Sequence, residues 1–242
     1  MVMHEHTAKA FDVDLQELTR MVAEMGGLAE KQIADAVDAL VRRDTESAAR
    51  VVVADVALDD LQREIEERAV LTIARRQPMA VDLREIVGGM RVAGDLERIG
   101  DMAKNIGKRV SELSGDFHPQ KLIRGVEHMS TLVLAQLKQV LDAYGSHDLD
   151  NALAVWKGDK EVDAMCTSLF RELLTYMMED PRNITFCIHL MFCAKNIERM
   201  GDHATNIAET VYYMIEGRPI ADKRPKGDTT VFAALDAVSA GE

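Results

Sequence analysis

Eight carboxylates stand in four pairs at i, i+4 spacing: Asp55 and Asp59, Glu97 and Asp101, Asp159 and Asp163, Glu198 and Asp202. On a helix, residues four apart share a face, where like charges repel by about 0.2–0.5 kcal/mol. Any one such pair is most simply a solvated acidic face. Repetition gives these four more weight. Residues 93–106 and 194–207 share 8 identities in 14 positions at an offset of 101, within a common Glu-Arg-x-Gly-Asp-x-Ala-x-Asn-Ile core. Asp55/Asp59 and Asp159/Asp163 recur at an offset of 104.

The turns set the pairs level with one another. Asp59 lies 19 residues before Pro78 and Glu97 lies 19 after it; Asp55 and Asp101 lie 23 before and after. Around Pro181 the corresponding separations are 18 and 17 for Asp163 and Glu198, then 22 and 21 for Asp159 and Asp202. In antiparallel hairpins, each half therefore places two acidic pairs at one height. Two carboxylates about 5 Å apart at an effective dielectric near 20 repel by roughly 3 kcal/mol. Such a cluster must be protonated, paired with cations or bound to metal. Arg98, Arg199 and Lys104 could supply a purely structural ion-pair network. Oxygen ligands instead favour hard or borderline cations: Mg²⁺, Mn²⁺, Ca²⁺ or iron.

Neighbouring residues offer less. Asn105 and Asn206 extend each acidic stripe by a turn and could lend amide oxygens. His203 has Met102 as its repeat counterpart and reads as a surface histidine. Gly100 and Gly201 read as close-packing positions, since no Gly-rich strand-to-helix loop surrounds them. The chain has no Glu-x-x-His, the spacing a ferritin-like di-iron site requires. It also lacks a Walker A loop, a Gly-x-Ser-x-Gly elbow and a zincin His-Glu-x-x-His. An enzyme reading has no nucleophile or general base to stand on.

Six long helices must position these groups. Apolar steps of three and four at Leu15, Leu18, Val22, Met25 and Ala29 predict a helix over 12–42. Asp44 caps a second, ending near Arg76 before the Gln77-Pro78 break. The third runs over 81–113 on a seam of Val92, Leu96, Ile99, Ala103, Ile106, Val110 and Leu113. Glu97, Asp101 and Asn105 fall opposite that seam, which predicts a cluster open to solvent. A loop at 115–118 leads to Pro119 in the first turn of a fourth helix, broken at Gly145-Ser146-His147. Asp148 caps a fifth that reaches Glu179, and the sixth ends near Ile215. The fold class is all-α: six long helices forming two tandem, duplicated three-helix bundles, 11–115 and 119–216. The tail, 217–242, is expected to be partly ordered at best.

Composition agrees. The 242 residues hold only 5% aromatics, 5 prolines and 15 glycines, which favours helices over strands. A net charge of −12 argues against a nucleic-acid surface and for cations or basic partners. Cys166, Cys187 and Cys193 lack C-x-x-C spacing and read as buried, reduced thiols. No signal peptide or membrane span is evident, so a cytoplasmic location is expected.

At the duplicated blocks, over about 11–216, the sequence resembles the PhoU family of phosphate-signalling regulators. The resemblance implies that Asp55, Asp59, Glu97, Asp101, Asp159, Asp163, Glu198 and Asp202 bind divalent or trivalent metal ions. Multinuclear iron leads the candidates, with Mg, Mn or Zn as others. It further implies a cytoplasmic homodimer that acts as a negative regulator of the phosphate-starvation response and of phosphate uptake. That regulator would link the ATPase subunit of a phosphate ABC transporter to a sensor histidine kinase, reaching the membrane only through these partners. The competing expectations are a metal-dependent carboxylate-cluster enzyme, a ferritin-like metal storage bundle, or a plain structural bundle.

Overall fold

The apolar steps do build helices, and most of their ends have an identifiable cap. A computed structural model describes residues 2–113, 120–222 and 224. Its long helices are α1 (Val2–Arg42), α2 (Thr45–Ala54) with α3 (Val56–Arg76), α4 (Val81–Val110), α5 (Gln120–Ser146), α6 (Leu149–Glu179) and α7 (Ile184–Glu216). Helices α2 and α3 are one long rod interrupted at Asp55, whose backbone stays right-handed, so the long rods number six. No strand occurs among the described residues.

Both inferred N-caps are present. The Asp44 carboxylate accepts from the backbone N–H groups of Glu46 and Ser47 at 3.0 Å, and Asp148 accepts from Asn151 at 3.0 Å. Each cap follows a left-handed residue, Arg43 (φ 57°) or His147 (φ 54°), that closes the preceding helix. The Asp44 N–H then reaches the Ala39 carbonyl at 2.9 Å, and the Asp148 N–H reaches that of Ala143 at 3.0 Å. The two turns lie 104 residues apart, so the duplication extends to backbone conformation.

Several boundaries differ from the sequence reading. Helix α1 begins at Val2 rather than at Asp12, because no Pro or Gly precedes Gly26 to stop it. Helix α4 ends at Val110 and tightens into a 3₁₀ turn over Ser111–Leu113. Gly145 does not break α5, which continues to Ser146; a Cβ there would meet nothing within 4 Å. The expected loop at 115–118, Pro119 and most of the tail lie outside the described residues.

In the first half α1, α2–α3 and α4 pack around one another; in the second, α5, α6 and α7 do the same. The halves meet along α4 against α7 and along α1 against α5, which joins the two cores into one. The inferred α4 seam is this core: Val92, Leu96, Ile99, Ala103 and Ile106 are fully buried. Its counterpart on α7 runs through Cys193, Ile197, Met200, Ala204 and Ile207. All three cysteines are buried, and none forms a disulfide among the described residues. Among the described residues, no helix is long and apolar enough to cross a membrane.

Candidate functional site

The hairpin arithmetic places Asp55 and Asp101 opposite each other, and the structure joins them through one cation. Lys104, one turn along α4 from Asp101, sets its Nζ between Asp55 Oδ2 and Asp101 Oδ1. The hydrogen bonds it donates to Asp101 and Asp55 hold the ammonium well above the usual lysine range. From α1, Gln32 Nε2 donates to Asp55 Oδ1 at 3.1 Å. Three rods thus converge on Asp55, at the interruption between α2 and α3.

Glu97 stands beside this group, with Arg98 Nε at 3.4 Å. Its carboxyl is pushed up, first by burial against the attraction of Arg98, and then by Asp101, Asp59 and Asp55. Glu97 thus lies within electrostatic reach of the other three carboxylates, Asp101, Asp59 and Asp55. Lys104 and Gln32 account for how the cluster is tolerated: a buried carboxylate left unpaired is far more costly than one paired and hydrogen-bonded.

The second half repeats the arrangement with its cation drawn from elsewhere in the chain. Asp159 and Asp202 again flank a single positive charge, supplied here by Arg224 from beyond the end of α7. Arg224 donates through Nε to Asp159 Oδ2 at 3.0 Å and through its terminal nitrogen to Asp202 Oδ1 at 2.7 Å. Burial works against this guanidinium, but the bonds to Asp159 and the charges of Asp202 and Glu209 leave it more firmly protonated than an ordinary arginine. The repeat counterpart of Lys104 is Thr205, a neutral residue whose hydroxyl lies 3.3 Å from Asp159 Oδ1. Glu198 is raised by burial, opposed by Lys195 and reinforced by Asp202 and Asp163. The ion pair expected from Arg199 comes instead from Lys195, 2.6 Å away.

Three expectations need correction. The clusters are not open to solvent throughout: Asp55, at the α2–α3 interruption, and Asp159 and Asp163, on α6, are buried, with Asp55 turned towards Gln32 on α1 and Asp159 towards Thr205 on α7. His203 is not a surface histidine; its Nδ1 lies 2.8 Å from Asp95 Oδ1 across the α4–α7 seam. Asn206 also leans to Asp95, at 3.4 Å, whereas Asn105 is exposed, so the two asparagines do not extend the sites equivalently. Among the described residues, no three acidic, histidine or cysteine side chains are drawn together as a ready-made cage.

Sequence reasoning missed Gln32 and Arg224. Gln32 has its counterpart in Gln136, 104 residues on, the offset already seen for the aspartates. Gln136 Oε1 is buried without a hydrogen-bond partner among the described residues. Arg224 had no sequence signal, because it belongs to no repeat.

Gly100 is needed at its position. A Cβ there would strike the Leu58 side chain and approach Gln32 Oε1 at 3.1 Å and Asp55 Oδ1 at 3.2 Å. Gly100→Ala is expected to cost about 1–3 kcal/mol by overpacking. Gly27→Ala, on α1 with nothing within 4 Å, should instead add about 0.5–1 kcal/mol. Urea midpoints of the two variants check both signs.

Comparisons with known proteins agree with the fold. The model of the PhoU domain matches residues 22–110 and again 126–211, one match per half. The chain belongs to the PhoU family. A phosphate-specific transport system accessory protein PhoU homolog from Rhizobium meliloti is 58% identical over 227 residues, covering 94% of this chain and 96% of that relative. PhoU from Pseudomonas aeruginosa superposes with a TM-score of 0.80 at 39% identity, over 86% of this chain and 100% of that one. The phosphate transport system regulatory protein PhoU from Streptococcus pneumoniae gives 0.81 at 27% identity, over 88% and 100%. PhoU membership places the chain with phosphate-transport accessory and regulatory proteins, not with enzymes.

Proposed function

We propose that this PhoU-family chain is a cytoplasmic, homodimeric adaptor that damps the phosphate-starvation response and limits phosphate uptake. It would do so by contacting a phosphate ABC transporter and a sensor histidine kinase, holding the kinase in its non-activating state while phosphate is plentiful. The relatives' names tie those proteins to phosphate transport, which supports the first partner. Exposed Met79, Val81 and Leu83 at one hairpin end, and Met178 and Ile184 at the other, support contact with other proteins.

The observation that carries the metal part of this reading is the carboxylate bracket built twice. Asp55 and Asp101 enclose one positive charge, and so do Asp159 and Asp202. The ammonium and guanidinium act as stand-in ions, and the donor set is wholly oxygen, so these residues fit a hard cation. Asp55, Asp59, Glu97 and Asp101 would hold metal in the first half, and Asp159, Asp163, Glu198 and Asp202 in the second. A bound cation would offset the mutual repulsion of the carboxylates and stiffen the two hairpins. Asp59, Glu97, Asp163 and Glu198 widen each bracket, and the buried Gln136 oxygen adds a neutral acceptor beside Gly201.

Deletion of the gene is expected to leave phosphate-starvation genes switched on in phosphate-rich medium, read as transcript levels. Unchanged expression would refute the regulatory role. Elemental analysis of protein purified without chelators tests the metal reading separately: metal in the parent and its loss in Glu97→Ala/Asp101→Ala support it, and equal content refutes it.

A further inference from the structure

The two acidic clusters are neutralised by different means. In the first half the cation belongs to the helix that carries the site: withdrawing Lys104 from Asp55 and Asp101 would require its side chain to leave a packed α4 face. In the second half the equivalent helix position holds Thr205, and the charge arrives from Arg224, eight residues past the end of α7. The path back is built. Gly217 closes α7 in the left-handed region (φ 72°), with its N–H on the Tyr213 carbonyl at 2.9 Å. Ile220 then packs on the core, and Pro219, Ile220 and Asp222 line a cleft with Arg91, Asn206 and Tyr213. Arg224 ends this return with a side chain only 17% exposed, against 2% for Asp159.

We propose that residues 217–222 lead into a strap whose Arg224 guanidinium occupies the second acidic site, and that a divalent cation binding Asp159 and Asp202 expels it. One charge lies between these two carboxylates at a time, because Arg224 already bonds both. The first site carries its counter-charge on a helix, with no strap over it among the described residues. The two halves, alike in their acids, therefore differ in function: one is internally neutralised, and the other exchanges a piece of the chain for an external cation. Metal occupancy is thereby converted into release of the C-terminal segment, a signal a partner protein can read.

This inference rests on the metal reading above, and the experiment separates the two. Hydrogen exchange of residues 217–224 is measured by mass spectrometry without and with Mn²⁺, alongside Mn²⁺ titration calorimetry. The parent should show faster exchange in the segment once Mn²⁺ is added. A strap seated nine-tenths of the time weakens apparent affinity about tenfold, so Arg224→Gln should bind Mn²⁺ about tenfold more tightly. Its segment should exchange fast even without metal. Thr205→Lys, which restores an ammonium on α7, should also release the segment without Mn²⁺. Arg224→Gln folds without rebuilding the core, so the proposal does not depend on the buried Thr205 variant.

Unchanged Mn²⁺ affinity in Arg224→Gln, with the parent binding Mn²⁺, would overturn the competition. Unchanged metal-free exchange in Arg224→Gln would overturn the strap itself. If the parent binds no Mn²⁺, the exchange of cation for strap is overturned together with the metal reading. Fast metal-free exchange in Arg224→Gln would then still establish the strap as a structural contact.

Discussion

Replacing Lys104 with methionine is expected to lower the unfolding free energy by about 3 kcal/mol, near the lower end of the range for breaking a buried ion pair. The lower end applies because the Lys104 side chain keeps 23% of its exposure while that of Asp55 keeps 4%. Methionine preserves most of the volume, so the loss reports charge rather than a cavity. Asp55 is then left to Gln32, while Asp101, more exposed and with Arg98 3.8 Å away, can turn to water. The check is urea denaturation with the midpoint shifted and the slope unchanged. Adding Asp55→Asn to Lys104→Met should recover much of the loss, since an amide can stay bonded to Gln32 without a counter-charge. If Lys104→Met costs less than about 0.5 kcal/mol, the bracket is only a screened surface pair.

Glu97→Gln/Glu198→Gln should do the opposite to stability and much more to binding. Burial and neighbouring carboxylates raise both glutamates above the ordinary carboxylate range. A carboxyl whose folded pKa exceeds its unfolded value opposes folding at neutral pH, and that penalty is relieved as pH falls through the folded pKa. The glutamine variant should therefore match or exceed the parent in urea at pH 7, and the gap should close as the pH is lowered through the raised folded pKa values. Mn²⁺ affinity should drop on the order of a hundredfold, at the upper end of the losses seen when a group that merely orients a metal ligand is removed. Lower stability at pH 7 with undiminished Mn²⁺ binding would show that the glutamates serve the fold and not a ligand.

Much of this was legible because it depends on short-range periodicity and on counting from a turn. The α4 seam from Val92 to Val110 is buried as its three- and four-residue steps require. Equal distances from Pro78 put Asp55 level with Asp101, and Lys104 touching both proves the register. What escaped the sequence depends on the third dimension. A helical wheel places Glu97 opposite the apolar seam but cannot show that α2–α3 covers that face and buries Asp55. Gln32 lies on a rod whose rotation is set by core packing, so only its recurrence at Gln136 could have revealed it. Arg224 follows a left-handed reversal at Gly217 that brings the chain back over α7, and no local pattern encodes where such a return will end.

The seam between α4 and α7, with α1 against α5 beside it, pairs two of the three rods in each half with their own repeat counterparts. That is an isologous interface formed within one polypeptide, the arrangement a single ancestral repeat would adopt on dimerising about a twofold axis. The polar lock on that axis has lost its symmetry: Asp95 meets His203, while their counterparts are Asn196 and Met102. A first half paired with its own copy would have Asp95 without a histidine, and a second half would have His203 without an aspartate. Divergence has therefore reached the contact itself: either half, paired with its own copy, would lack this hydrogen bond across the seam.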